Sequence, residues 1–196
     1  MLTLAFDTAT TVATSALVWD DEVLAELSSR PVSVLEDVDA LFRQGGVRPQ
    51  QLEAVAVGTG PGSFTSLRMG IATARILSLA LDVPVAGVST LRTLEAGAPG
   101  SLPIIDARRR EVFVLDGEPK VMLPAELQVA GRVCVGDGAV RYRGELELRG
   151  AEIPPDDDER HVPRARFLVG LADDYGAAAL VEPIYLRVPD AERSHA

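Results

Sequence analysis

The sequence predicts an α/β fold in which a mixed β-sheet is flanked by helices and followed by a reduced second lobe. Two observations support this prediction. Within the 196 residues, three strand-like segments come first and alternating strand-like and helix-like segments follow. A meander that continues into β-α alternation forms a mixed sheet with helices on its faces. After Pro99 and Gly100 the segments become shorter. We therefore assign residues 1–100 to the first lobe and residues 101–196 to the smaller second lobe.

Three strands are predicted at the start of the chain. Residues 2–6 form a short apolar run, residues 11–19 are apolar and β-branched, and residues 22–27 alternate charged and aliphatic side chains. These patterns are typical of strands. Asp20 and Asp21 mark a turn between the second and third strands. We therefore expect an antiparallel meander.

The period then changes to that of helices. Ser33 and Glu36 make a capping-box pattern ahead of an apolar series at helical spacing, and Gly45 with Gly46 ends it. The other predicted elements of this lobe are a strand at 52–57, a loop at 58–63, a helix at 64–81, a strand at 83–88 and a helix at 89–96. This order of elements is that of ribonuclease-H-like and actin-like ATPase domains, so we expect an actin-like fold.

The second lobe is predicted from shorter segments. They are a hairpin at 103–106 and 111–115, a strand at 133–135, an exposed acidic loop at 154–159, a helix at 164–172 and a closing segment at 177–187. This prediction allows the C-terminal helix to pack back on the first lobe.

Composition excludes several functions. The net charge of -10 opposes tight nucleic-acid binding by this chain alone. A single cysteine, Cys134, excludes an internal disulfide, and two histidines leave no multi-histidine metal centre or conventional histidine-dependent triad. No run of 18 apolar residues is free of Arg or Asp, and the first ten residues have no basic leader. We therefore expect a cytoplasmic protein with no membrane contact.

Two loops are candidates for phosphate binding. The glycine-rich residues 58–63 lie between a strand and a helix, where backbone N–H groups can meet an anion. Their spacing matches neither the Walker loop nor the dinucleotide fingerprint, and it favours a tight turn that brings the helix close to the sheet. Asp7, Thr8 and Thr10 follow the first strand. They are candidates for holding a metal-bound phosphate, or alternatively form a polar turn. The arginines at 108–110 form a small basic patch or, as we prefer, a solvated turn.

The helix at 64–81 carries two apolar stripes. At about 100° per residue, one stripe contains Leu67, Gly70, Ile71, Ala74, Leu77 and Leu81, and the other contains Thr65, Met69, Ala72, Ile76, Leu79 and Ala80. A helix on the outer face of a sheet needs one stripe. The second stripe must be covered by another part of the chain or by another protein. We assign the first stripe, which has the larger aliphatic residues, to the core.

Several segments resemble one known family. Residues 60–70, Gly-Pro-Gly-Ser-Phe-Thr-Ser-Leu-Arg-Met-Gly, are similar to the signature of the TsaB (YeaZ) family of bacterial tRNA-modification proteins. Shorter matches to the family follow its order at 7–10, 87–91, 106–113 and 183–187. Two positions depart from the family: Ser66 stands where it usually has glycine, and Val32 where it often has histidine.

The resemblance implies an actin-like fold and a non-catalytic partner of the TsaD enzyme. TsaD transfers a threonylcarbamoyl group from threonylcarbamoyl-adenylate to the adenosine 3′ of the anticodon in tRNAs that read codons beginning with A. A small ATPase, TsaE, completes the larger complex. The resemblance further implies that ATP or ADP and the metal belong to the partner proteins, that this chain has no catalytic residue, cofactor or metal of its own, and that tRNA is bound only through the complex.

Members of the family pair with TsaD through their first two helices, and pair with themselves through the same face. The resemblance therefore implies a partner interface formed by Leu35, Val38, Phe42, Thr65, Arg68, Met69, Ala72 and Ile76.

Two enzymatic functions are the alternatives. A small phosphotransferase or ATPase of the same superfamily needs a complete phosphate cradle and a second catalytic carboxylate, and this chain is short for two full lobes. A peptidase needs a general base for Ser63 or Ser89, and neither histidine is a plausible partner. An accessory subunit is the interpretation that the sequence favours.

Overall fold

The first lobe is built on a five-stranded mixed sheet. The computed structural model describes residues 1–187. The strands of the first sheet are β1 (Leu2–Asp7), β2 (Ala13–Trp19), β3 (Glu22–Ser29), β4 (Ala54–Gly58) and β5 (Val85–Val88). Their order in the sheet is β3-β2-β1-β4-β5. The first three strands form an antiparallel meander, while β4 is parallel to β1 and β5 is parallel to β4. The predicted mixed sheet is therefore confirmed.

Three helices belong to this part of the chain. They are α1 (Val34–Gln44), α2 (Phe64–Leu81) and α3 (Thr90–Gly97). The bounds of α2 are those predicted from the sequence. Leu41 of α1 and Leu67 and Ile71 of α2 are buried in one apolar cluster with the side chains of β1, β2 and β4. This cluster is the main core of the first lobe.

A smaller sheet follows, with the strands β6 (Leu102–Asp106), β7 (Val112–Asp116), β8 (Glu118–Met122) and β9 (Cys134–Val135). Their order in the sheet is β8-β7-β6-β9. The hairpin of β6 and β7 agrees with the sequence prediction. Strand β8 was not predicted, because its exposed Glu-Pro-Lys start lacks an apolar alternation. The helices α4 (Asp137–Arg141) and α5 (Arg143–Leu148) are short and lie after β9.

Helix α6 (Arg166–Leu171) packs on the first sheet. Along β1, the side chains of Leu2, Leu4 and Phe6 join the core formed with α1 and α2, whereas Ala5 points to the opposite face. Leu168 of α6 is buried against Ala5 and against other alanine and valine residues of that face. The first sheet is therefore covered on both faces, and one cover comes from the C-terminal half of the chain.

The length and composition of α2 alone would suit a membrane span. It has 18 residues with a mean hydropathy of 1.2, and within residues 1–187 it is the one helix that meets such a criterion. Its buried side, through Leu67, Ile71 and Ala74, is part of the core described above. The apolar character of that side is therefore explained by packing on the sheet.

Candidate partner interface and interlobe cleft

Asp7 ends β1 and is fully buried. Its Oδ1 accepts a hydrogen bond from the backbone N–H of Ala9 at 2.8 Å, and its Oδ2 accepts one from the hydroxyl of Thr90 at 2.7 Å. Burial raises the pKa of the Asp7 carboxyl to about 6, although both hydrogen bonds act in the opposite direction. Both carboxylate oxygens are thus engaged within the fold, as in the polar-turn alternative.

The two threonines of the same loop are also engaged by the chain itself. The hydroxyl of Thr8 donates to the carbonyl oxygen of Ser66 at 2.7 Å, and that of Thr10 donates to the carbonyl oxygen of Val12 at 2.8 Å. A Cβ on Gly70 of α2 would lie 2.2 Å from the Thr8 hydroxyl oxygen, so α2 sits directly against this loop. Thr8 is fully buried, while Thr10 reaches the wall of a cleft.

The glycine-rich loop before α2 permits a close approach of the chain. The N–H of Ser63 donates to the carbonyl oxygen of Ala9 at 2.7 Å. A Cβ on Gly62 would lie only 2.2 Å from that same carbonyl oxygen. Any side chain at position 62 would therefore push the start of α2 away from the loop that follows β1. This is the tight turn that the glycine spacing favours.

A cleft of about 890 Å³ lies between the two lobes. The loop after β1, the start of α2, the turn between β6 and β7 and residues 184–187 line it. The sequence analysis did not find this cleft, since its walls come from segments far apart in the chain. Among residues 1–187, no group of three or more His, Cys, Asp or Glu side chains is placed to hold a metal ion.

The turn between β6 and β7 carries the three arginines, and all three have a left-handed backbone. Their φ angles are 61° for Arg108, 53° for Arg109 and 63° for Arg110. Asp106 lies 3.2 Å from the guanidinium of Arg108 and 3.4 Å from that of Arg141. The acid therefore compensates part of the positive charge at the cleft, as expected for a solvated turn.

The outward stripe of α2 is exposed, as the sequence predicted. Ile76 is 65% exposed and Leu79 is 76% exposed. The other members of this stripe are Thr65, Ala72 and Ala80, which are exposed, and Met69, which is half-buried; Arg68, beside the stripe, is also exposed. The inward stripe is buried at Leu67, Gly70, Ile71 and Ala74, while Leu77 and Leu81 are only half-buried. No other part of residues 1–187 covers the outward stripe. We call this stripe, together with Phe64 and Arg68, the α2 strip.

Two residues assigned to the partner interface are instead part of the core. Val38 is 6% exposed and Phe42 is 5% exposed, and both pack in the main cluster under α1. The prediction was wrong here because α1 has one apolar face, which it turns to the sheet. Leu35 lies off that face and is 61% exposed. Of the three α1 residues assigned to the interface, Leu35 alone remains available to a partner.

A cluster of two aromatic rings and one arginine closes the N-terminal end of the α2 strip. The guanidinium carbon of Arg68 lies 3.7 Å from the centroid of the Phe64 ring and 5.6 Å from that of Tyr185. Nε of Arg68 donates to the hydroxyl oxygen of Tyr185 at 2.7 Å, and the two ring centroids are 5.4 Å apart. Sequence reasoning placed Arg68 near the interface but missed Tyr185, which is 117 residues away.

The sheet order, its flanking helices and the smaller second sheet define an actin-like (ribonuclease-H-like) α/β protein. The family model described as "TsaD: tRNA N6-adenosine threonylcarbamoyltransferase" matches residues 30–137. The tRNA threonylcarbamoyladenosine biosynthesis protein TsaB of Escherichia coli is 32% identical, over 95% of this chain and 95% of that protein. The chain belongs to the TsaB (YeaZ) family.

Two further comparisons agree. TsaB of Bacillus subtilis is 36% identical over 122 residues, which are 58% of this chain and 53% of that protein. The structure of YeaZ from Pseudomonas aeruginosa superposes with a TM-score of 0.76 at 26% identity, over 94% of this chain and 99% of that chain. These comparisons confirm the fold that the sequence predicts and the family that its motifs resemble.

Proposed function

We propose that this protein is a non-catalytic partner of TsaD in the synthesis of threonylcarbamoyladenosine in tRNA. Its relatives from E. coli and B. subtilis are named as biosynthesis proteins of that nucleoside. In this proposal TsaD transfers the threonylcarbamoyl group to the adenosine 3′ of the anticodon, and this chain binds TsaD directly. TsaE joins the larger complex, and ATP or ADP and the metal belong to those partners.

The observation that carries the proposal is the α2 strip. Ile76 and Leu79 place large aliphatic side chains in solvent on a helix whose other side is already packed. An exposed apolar strip of this kind favours burial against another protein. Small residues at Ala72 and Ala80 allow a partner helix to approach closely. The same strip serves self-association when TsaD is absent.

The burial of Asp7, at the start of the loop after β1, argues against catalysis by this chain. A phosphotransferase of this superfamily needs a carboxylate that reaches the phosphate or its metal. Asp7 is sealed from solvent and bonded to Ala9 and Thr90. Contact with tRNA is accordingly assigned to the complex, because the net charge of -10 repels a phosphate backbone. A cytoplasmic location belongs to the same proposal.

A reconstitution experiment tests the function. TsaD from the same organism, this protein and their mixture are each given tRNA and threonylcarbamoyl-adenylate, and the modified nucleoside is quantified. We expect modification with the mixture and none with this protein alone. Sedimentation velocity then measures whether the two proteins form a complex. Turnover by this chain alone that survives repeated purification, or the absence of any complex, would reject the proposal.

A further inference from the structure

The α2 strip contains a positive charge that the described part of the chain does not neutralise. Helix α2 has no Asp or Glu in its 18 residues, although the protein as a whole has a net charge of -10. Its two cations differ in their surroundings. Arg75 is half-buried and donates from Nη2 to the carbonyl oxygen of Val181. Arg68 is exposed, and within residues 1–187 no carboxylate pairs with it.

The guanidinium of Arg68 is held in one orientation. Its central carbon lies 3.7 Å from the centroid of the Phe64 ring, and its Nε donates to the Tyr185 hydroxyl. Nη1 and Nη2 have no hydrogen-bond acceptor among residues 1–187. A guanidinium that donates through Nε and lies over an aromatic ring presents its terminal amino groups as a preorganised fork, the geometry that matches a carboxylate.

We propose that the partner bound at the α2 strip carries a carboxylate that accepts two hydrogen bonds from Nη1 and Nη2 of Arg68. This inference rests on the proposed function and takes TsaD as the occupant. The apolar side chains of Met69 and Ile76 exclude water from the joint, so an uncompensated guanidinium there would be costly. An acidic side chain opposite Arg68 removes that cost and fixes the register of the two surfaces.

A second copy of this chain is a poorer occupant. In a two-fold dimer the same surfaces face each other. Two α2 strips would bring Arg68 of one copy near a helix that has no acidic residue. Self-association through α2 therefore leaves the fork without a carboxylate from that helix. The exposed acids of α1 are Glu36 and Asp39, and Asp39 already pairs with Arg43, so a second copy offers Glu36 alone, whereas a different protein can place an acid directly opposite.

The test compares substitutions of Arg68 with a matched change elsewhere. The affinity for TsaD is measured by calorimetry for the wild-type chain, R68Q, R68K and R68E. Arg92, an exposed residue of α3, supplies the control R92E, which changes the net charge as much as R68E does. We expect R68Q to weaken binding at least about 30-fold, R68K to weaken it less, and R92E to change it by less than about 3-fold. Thermal melting should be unchanged in all of them.

A charge-reversal scan of TsaD identifies the acid. One Asp or Glu changed to Arg in TsaD should restore binding of R68E. Wild-type affinity for R68Q, or equal losses in R68E and R92E, would overturn the carboxylate contact and leave the proposed function standing. Loss of self-association without loss of TsaD binding would show that the occupant is a second copy. Failure of the wild-type chain to bind TsaD would reject the proposed function and this inference together.

Discussion

The hydroxyl of Thr90 donates a hydrogen bond to the buried carboxylate of Asp7 at 2.7 Å, across 83 residues of sequence. The same Thr90 hydroxyl accepts a hydrogen bond from the N–H of Gly60 at 3.1 Å, and the N–H of Thr90 donates to the carbonyl oxygen of Gly60 at 2.8 Å. Thr90 thus joins the end of β1 to the loop that precedes α2. The charge of this network depends on whether the Asp7 carboxyl is ionised.

Replacing Asp7 by asparagine should change how stability depends on pH. The pKa of Asp7 is about 6 in the folded protein and about 3.8 in the unfolded chain, so folding takes up a proton between these pH values. Ionised Asp7 therefore costs stability above pH 6, by at most about 3 kcal/mol, and this cost fades as the pH falls towards 4.

Urea unfolding from pH 4 to pH 8 measures this effect. The free energy of unfolding of D7N minus that of the wild-type chain should be largest above pH 6 and should fall as the solution becomes acidic. D21N, at an exposed turn position, is the control. A difference between D7N and the wild type that grows on acidification would contradict the assignment.

Substitutions on the two sides of α2 should separate folding from association. I76R places a charge on a side chain that is 65% exposed, so melting should be nearly unchanged while TsaD binding is lost. I71R places the same charge at a position that is 4% exposed and should unfold the chain, at a cost of several kcal/mol. Circular dichroism melting and sedimentation velocity are measured for both. If I76R melts the fold and I71R spares it, the helix faces the other way.

Glu26 should hold the C-terminal helix on the first sheet. This residue of β3 pairs with Arg164 and Arg166. Burial raises the pKa of Glu26, but the two arginines outweigh burial and hold it below its usual value. Its contribution to stability is therefore present at neutral pH and is lost as the pH falls below the normal range for glutamate.

The variant E26Q should destabilise the protein by about 1–3 kcal/mol at pH 7, and less in acid. In E26Q, the backbone amides of α6 should exchange hydrogen faster than they do in the wild type, and this increase should be larger in α6 than in α2. E22Q, at an exposed position of the same strand, is the control. Equal effects of E26Q at pH 7 and pH 3.5 would argue against the ion pairs.

The hydrogen bonds of His161 should stabilise the second lobe. It is buried, its Nδ1 accepts from the N–H of Gly136 at 3.1 Å, and its Nε2 lies 3.1 Å from the carbonyl oxygen of Pro154. Because Nδ1 accepts, Nε2 carries the proton and donates. H161F leaves two buried backbone groups unpaired and should cost about 2–4 kcal/mol. R160A, at the exposed neighbour, should cost less than about 1 kcal/mol. Equal melting temperatures for H161F and the wild type would contradict this role.

The parts of the fold that follow from local pattern were predictable. The strands of the first sheet and the bounds of α2 depend on apolar periodicity within a few residues, which the sequence displays. The orientation of α2 followed from the larger aliphatic side chains of one stripe. Leu77 marks the limit of that argument, because it belongs to the inward stripe but is only half-buried against the main core cluster.

Features that depend on distant segments were not predictable. Helical spacing placed Val38 and Phe42 on one stripe of α1, but spacing alone does not say whether a stripe faces the chain's own sheet or a partner. The pairing of Arg68 with Tyr185 and the cleft between the lobes join residues about a hundred positions apart. Proximity between segments that are far apart in the sequence arises from the topology of the fold, and a single sequence has no local signal for it.

The placement of α6 has a consequence for the order of events during translation. The alanine-lined face of the first sheet is complete once Val88 has been synthesised, but Leu168, which covers it, comes 80 residues later. At about 5–20 residues per second, the interval is roughly 4–16 s. During that time the nascent first lobe presents a bare apolar sheet surface, the kind of surface that chaperones bind. Ribosome-arrested chains that end before Arg166 should be more protease-sensitive than chains that include α6.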